Sequence, residues 1–150
     1  MYKRQLQDLS LKELNLSQNR IQSSNLLTFQ NTSTLEMLEV RACDFKDEDL
    51  QNIAKLRSLQ EIDIRANPIQ GSGLKELLKL TNLSTLYISS KSLDLDELAY
   101  LLEKHPKIDF VSLEFNEDLQ KLEKLDQVAL ITVGSRVNLM TGKDLSLIHI

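Results

Sequence analysis

The sequence predicts an α/β solenoid, with short parallel strands alternating with helices. Two observations carry that prediction. Apolar residues return in the same columns every 24 residues. Each such unit has one half with strand spacing and one half with helical spacing. A third observation agrees with it: 41% of the residues are hydrophobic, but only 5% are aromatic and none is tryptophan. Leu and Ile must therefore fill a core built from many small, similar pieces.

The strand halves are LKELNLSQNRI (11–21), LEMLEVRACDF (35–45), LQEIDIRANPI (59–69) and LSTLYISSKSL (83–93). Their first residues are Leu11, Leu35, Leu59 and Leu83. The next apolar columns are Leu14, Leu38, Ile62 and Leu86, then Leu16, Val40, Ile64 and Ile88, and then Ile21, Phe45, Ile69 and Leu93. The middle two columns lie two residues apart, which places both on one side of a strand.

The second halves repeat as well. Leu26, Leu50, Leu74 and Leu98 share a register, as do Phe29, Ile53, Leu77 and Leu101, with Leu56 and Leu80 continuing the row. A spacing of three puts these residues on one face of a helix, with Asp47 and Ser72 as candidate caps. Pro106, after His105, ends the fourth helix and returns the chain to a strand. A fifth unit fits after a slip of one residue, through Ile108, Val111, Leu113 and Asn116. The segments LDQVALITV and LSLIHI match more loosely. The chain is thus expected to form one domain over 1–150. Its regular units run over about 11–34, 35–58, 59–82, 83–107 and 108–124, with irregular units over 125–150.

These columns resemble the leucine-rich repeat family, whose signature is L-x-x-L-x-L-x-x-N/C-x-L. The resemblance implies a short horseshoe or arc, with a parallel sheet on the concave face and helices on the convex face. A period that leaves room for helices is similar to intracellular members of the family. The resemblance also implies a ladder at the Asn/Cys column, here Asn19, Cys43, Asn67 and Asn116, whose side chains turn inward and bond the backbone of each bend. Lys91 breaks that column. A buried unpaired lysine is costly, so its bend should be looser or its side chain should reach solvent.

Other chemistry is poorly supported. Cys43 has no histidine nearby and reads as buried scaffold. His105, His149 and Cys43 are too scattered for metal-ligand spacing. The GSG at 71–73 precedes a helix, where an anion could sit, but it lacks the Lys-Ser/Thr of a nucleotide loop. The acid pairs Glu48/Asp49, Asp94/Asp96 and Glu117/Asp118 have no associated base or nucleophile and read as caps and loop faces. The expectation is a protein with no enzymatic activity, no metal and no cofactor.

The formal net charge of −4, with signs interspersed, argues against nucleic acid as a partner. One cysteine makes no internal disulfide, and the start MYKRQLQDLSLKEL has no secretory pattern. No apolar run approaches the roughly 18 residues that would cross a membrane. The expected setting is cytoplasmic, with no membrane partner, and the three N-x-S/T triplets at 15–17, 31–33 and 82–84 are discounted as glycan sites. The chain starts almost within its first unit and ends on the apolar LSLIHI. The expectation is accordingly an unusual end cap, self-association through an end of the solenoid, or further chain.

Function is expected on the inner sheet face, as binding of a protein or peptide. Residues between the core positions point there. They form the rows Glu13, Met37, Glu61, Thr85 and Phe110; Asn15, Glu39, Asp63, Tyr87 and Ser112; Ser17, Arg41, Arg65, Ser89 and Glu114; and Gln18, Ala42, Ala66, Ser90 and Phe115. Read this way, a charged region (Glu39, Arg41, Glu61, Asp63 and Arg65) lies beside an aromatic one (Tyr87, Phe110 and Phe115), and the two together form the expected site. Other readings are a different surface of the same module, a recognition segment of a larger receptor or secreted effector, and, least favoured, an enzyme.

Overall fold

A computed structural model of the chain describes residues 10–89, 92–105, 107–114, 128–133 and 136–141. Five strands pair in parallel in chain order: β1 (Glu13–Asn15), β2 (Met37–Glu39), β3 (Glu61–Asp63), β4 (Thr85–Ser89) and β5 (Phe110–Glu114). Their register follows the repeat. Glu13, Met37, Glu61, Thr85 and Phe110 are successive Cα partners, as are Leu14, Leu38, Ile62, Leu86 and Val111. The slip of one residue in the fifth unit is absorbed outside the strands, so Thr85 still faces Phe110.

The helical layer differs from the expected one in kind. Ser23–Phe29 and Leu74–Lys79 are 3₁₀ helices. The second unit has a 3₁₀ turn, Asp47–Asp49, that runs into a single α-turn, α1 (Leu50–Ile53). Among the described residues, only α2 (Leu95–Lys104) is a long α-helix. In the 3₁₀ turns, at three residues per turn, Leu74 and Leu77 stack directly on one another. Asp94 starts α2 by accepting a hydrogen bond from the Asp96 N–H at 2.9 Å.

The core lies between the two layers. From the strands it takes Leu38, Val40, Ile62, Ile64, Leu86, Ile88 and Val111, and from the helical turns Leu26, Leu50, Ile53, Leu74, Leu77, Leu98 and Leu101, all buried. Leu35, Leu59 and Leu83 seal the entry to each strand. No unit buries its own apolar side alone, so each depends on its neighbours.

After each of the first three strands the chain bends through a left-handed residue. Gln18, Ala42 and Ala66 have φ of 62°, 53° and 54° and occupy one column, and Asp44 is also left-handed at 65°. For a residue with a Cβ this costs about 1–2 kcal/mol. The freed N–H groups are used: Gln18 donates to the Arg41 carbonyl, Ala42 to the Arg65 carbonyl and Ala66 to Ser89 Oγ. The strain is thereby tied to the stacking of one unit on the next.

The C-terminal part departs from the repeat. Strands β6 (Val128–Val133) and β7 (Arg136–Thr141) pair antiparallel, and β7 pairs antiparallel with β5, giving the sheet order β1-β2-β3-β4-β5-β7-β6. Where irregular repeat units were expected, a hairpin extends the sheet and covers the edge of β5. A parallel continuation needs a crossover of a dozen or more residues between its strands. Only Gly134 and Ser135 separate β6 from β7, a hairpin spacing that permits reversal alone. Lys91, Phe115, Asn116, Glu117, Asp118 and His149, and the segment LSLIHI, lie outside the described residues.

Candidate interaction face

The side chains between the core columns of β1–β4, with Phe110 and Ser112 of β5, project from the sheet side opposite the core. Their packing joins the charged and aromatic regions that the sequence separates. Asp63 is only 7% exposed. Its carboxylate accepts from Arg65 Nε at 2.9 and 3.1 Å and from Arg65 Nη2. The Arg65 guanidinium also lies over the Tyr87 ring, 5.1 Å from its centroid. Tyr87 meets Phe110 edge-on, with ring centroids 5.9 Å apart and planes at 62°. The Tyr87 hydroxyl hydrogen-bonds the Glu61 carboxylate.

One connected group therefore runs across three strands, from Glu61 and Asp63 through Tyr87 to Phe110. The rows put these residues in neighbouring positions because Glu61, Thr85 and Phe110 are successive partners, as are Asp63, Tyr87 and Ser112. Ser112 is buried at 3% exposure. Glu39 accepts from Asn15 Nδ2 at 2.8 Å, one strand away. Arg41 is half-buried, and its backbone N–H donates to Ser17 Oγ at 3.2 Å. Phe115, which the sequence places in the same group, is outside the described residues.

The electrostatics of the group follow from this crowding. Partial burial pushes the Glu61 carboxyl above its ordinary pKa, the charges of Glu39, Asp63 and Glu13 add to the rise, and the bond from Tyr87 opposes it. Burial also raises the Tyr87 hydroxyl, as do the charge of Glu61 and its hydrogen bond, while Arg65 pulls it down.

Behind this face the bends are tied unit to unit. Asn67 is buried and donates from Nδ2 to the carbonyls of Val40 (2.8 Å), Ile64 (2.9 Å) and Arg65 (3.2 Å). Its Oδ1 accepts from the Cys43 and Phe45 N–H groups, each at 3.0 Å. One unit earlier, Cys43 Sγ reaches the Leu16 carbonyl at 3.2 Å, in the place equivalent to that of Val40. Asn19 is exposed and bonds only the Leu16 and Ser17 carbonyls of its own turn.

One residue read as a cap acts between units. Asp47 does not cap its own turn. Its carboxylate accepts from the N–H groups of Gln70 (2.8 Å), Gly71 (2.9 Å) and Gly73 (2.8 Å) in the next unit. The GSG segment thus already holds an anion, supplied by the chain itself. Gly71 adopts φ of 123°, and a Cβ on Gly73 would meet the Asp47 carbonyl oxygen at 2.2 Å. The signal for this contact was present, since Asp47 and Gly71 are one period apart. A within-unit reading of helix caps overlooks it.

His105 is likewise tied to a neighbouring unit. It is 5% exposed, with Nε2 3.0 Å from the Leu80 carbonyl, while Nδ1 accepts from the Lys107 and Ile108 N–H groups at 3.2 Å. Nε2 then carries the proton. Among the described residues no three His, Cys, Asp or Glu side chains are grouped to hold a metal ion, and no helix is long and apolar enough to cross a membrane.

Comparison with known proteins bears on the scaffold. Leucine Rich Repeat family models match residues 10–32 and 55–78. No curated protein matches the chain. Fifteen chains of solved structures match. One of them is titled Leiomodin-1 Actin-Binding Site 2 (ABS2). It has a TM-score of 0.62 and 16% identity, over 83% of this chain and 82% of that one. At that identity the likeness concerns the fold.

Proposed function

We propose that this chain, a leucine-rich repeat solenoid, is a protein-interaction module that takes a protein or peptide on its concave sheet face. The observation that carries the reading is the connected group Glu61–Asp63–Arg65–Tyr87–Phe110. Its aromatic rings are braced by neighbours on three strands rather than free to rotate. Rings held in this way bind at low entropic cost, because their rotamers are already chosen. A solenoid of this architecture can serve as a protein-binding surface, and the solved neighbour titled as an actin-binding site is an instance.

Within the face the roles divide. Tyr87 and Phe110 are the anchors. Asp63 is spent on holding Arg65, and Arg65 on holding Tyr87. Glu39, Arg41 and Glu61 form the polar side that orients the partner. Asn19, Cys43 and Asn67 are scaffold. The activity is binding rather than catalysis, and the single unpaired thiol, Cys43, fits a reducing cytoplasm.

The test is capture of partners from the native cell on immobilised protein, followed by titration of the captured partner. Tyr87→Ala and Phe110→Ala each weaken binding about tenfold or more if this face is used. Binding unchanged by both substitutions excludes the concave face.

A further inference from the structure

We infer that the partner segment is cationic with an apolar anchor: a lysine or arginine and an aromatic or large aliphatic side chain, four residues apart in an extended chain. This rests on the concave-face reading and specifies its partner.

The charges of the face do not balance even with Arg41 counted, since Glu13, Glu39, Glu61 and Asp63 outnumber Arg41 and Arg65. Arg65 and Asp63 neutralise each other, with side chains 13% and 9% exposed. The remaining carboxylates, Glu13, Glu39 and Glu61, surround Met37. Glu13 and Glu61 are its partners on the strands to either side, and Glu39 lies two residues along on its own strand and same side. Glu13 is exposed, and Glu39, Glu61 and Met37 are half-buried. A carboxylate can accept at several lone pairs, so the bonds to Glu39 from Asn15 and to Glu61 from Tyr87 leave capacity. An apolar floor ringed by acids suits a lysine or arginine, whose aliphatic stem can lie on the thioether while its head meets the carboxylates. Burial is the main cause of the raised Glu61 carboxyl, and such a cation relieves the smaller part that comes from the charges of Glu39, Asp63 and Glu13.

The apolar requirement comes from the other end of the face. Phe110 lies in the row of Met37, on β5, three strand spacings from β2. At about 4.8 Å per spacing that is roughly 14 Å. Four residues of extended chain cover about 13.5 Å, and residues four apart point to the same side. A segment lying across the strands can therefore set its cation at Met37 and its apolar side chain at Phe110.

A phage-displayed library of random short peptides, selected on the whole chain, tests this directly. The expected result is enrichment of lysine or arginine with an aromatic or aliphatic residue four positions away. Binding of the synthesised winners should fall about tenfold or more in the Glu39→Gln/Glu61→Gln variant. It should change less than about twofold in the Glu76→Gln/Glu103→Gln variant, which removes the same charge from the helical side. Selection with no basic enrichment overturns the inference. If such non-basic winners lose binding in Phe110→Ala, the concave face still stands and only the partner chemistry fails. Winners indifferent to Phe110→Ala overturn both.

Discussion

The Arg65 guanidinium lies 5.1 Å over the Tyr87 ring while its nitrogens are bound by Asp63. An arginine on the sheet face thereby becomes a brace for an aromatic ring. Asp63 is 7% exposed, so truncating Arg65 leaves a buried carboxylate unpaired. Arg65→Ala is expected to cost about 2–4 kcal/mol in urea unfolding. Arg65→Lys should recover only part of it, because an ammonium cannot reproduce the two-pronged contact. An Arg65→Ala loss below about 0.5 kcal/mol would show that the pair is loosely held.

The ladder residues should differ in weight. Asn67 serves five backbone groups across two units, whereas Asn19 bonds two carbonyls of its own exposed turn. Asn67→Ala should destabilise by about 3 kcal/mol or more and Asn19→Ala by less than about 1 kcal/mol. Equal losses in parallel urea titrations would contradict the inter-unit role.

Asp47 ties the second unit to the third. Burial alone would raise its carboxyl, but the N–H groups of Gly73, Gln70 and Gly71, with the Ser72 hydroxyl, outweigh that and hold it below its ordinary value. A lowered folded pKa means that the stabilisation is complete above about pH 3.9 and is lost as pH falls through the folded value. Asp47→Ala should cost about 1–3 kcal/mol at neutral pH and reduce the acid sensitivity of unfolding. Gly73→Ala should cost at least as much, because its Cβ has no room beside the Asp47 backbone.

His105 gives a second, separate pH dependence. Burial lowers its pKa, although the backbone bond to Leu80 pulls upward. The folded chain therefore holds it neutral where the unfolded chain takes a proton. Its contribution is full above about pH 6.5 and declines below it, by at most about 1.4 kcal/mol per pH unit. Comparison of urea midpoints at pH 7.5 and 5.5 should show a drop that is smaller in His105→Gln. An equal drop in both proteins would assign the effect elsewhere.

Much of the scaffold was legible because a solenoid writes its core as columns. Leu38, Ile62 and Leu86 were recognisable from their 24-residue spacing and are adjacent and buried. The 3₁₀ form of part of the helical layer was not legible, because the spacing of three recurs at Leu98 and Leu101, where the helix is α. The hairpin of β6 and β7 was missed because a search for repeats reads VALITV as part of a loosely matching unit and passes over RVNLMT, two residues further on. Register placed Glu61, Tyr87 and Phe110 on one side of the sheet. It could not show that Arg65 turns between Asp63 and Tyr87, since a long side chain has several reachable neighbours. Asp47 was overlooked for a related reason. Its partners, Gln70, Gly71 and Gly73, belong to the next unit, and capping rules look only within one.

The central claim is that the concave face binds a protein segment through Tyr87 and Phe110. The most direct measurement is the dissociation constant of a captured partner or selected peptide for the parent chain, Phe110→Ala and the convex-side variant Tyr100→Ala. Phe110→Ala should weaken binding about tenfold or more, with Tyr100→Ala within about twofold of the parent. The opposite ranking, or no effect of Phe110→Ala, would contradict the account.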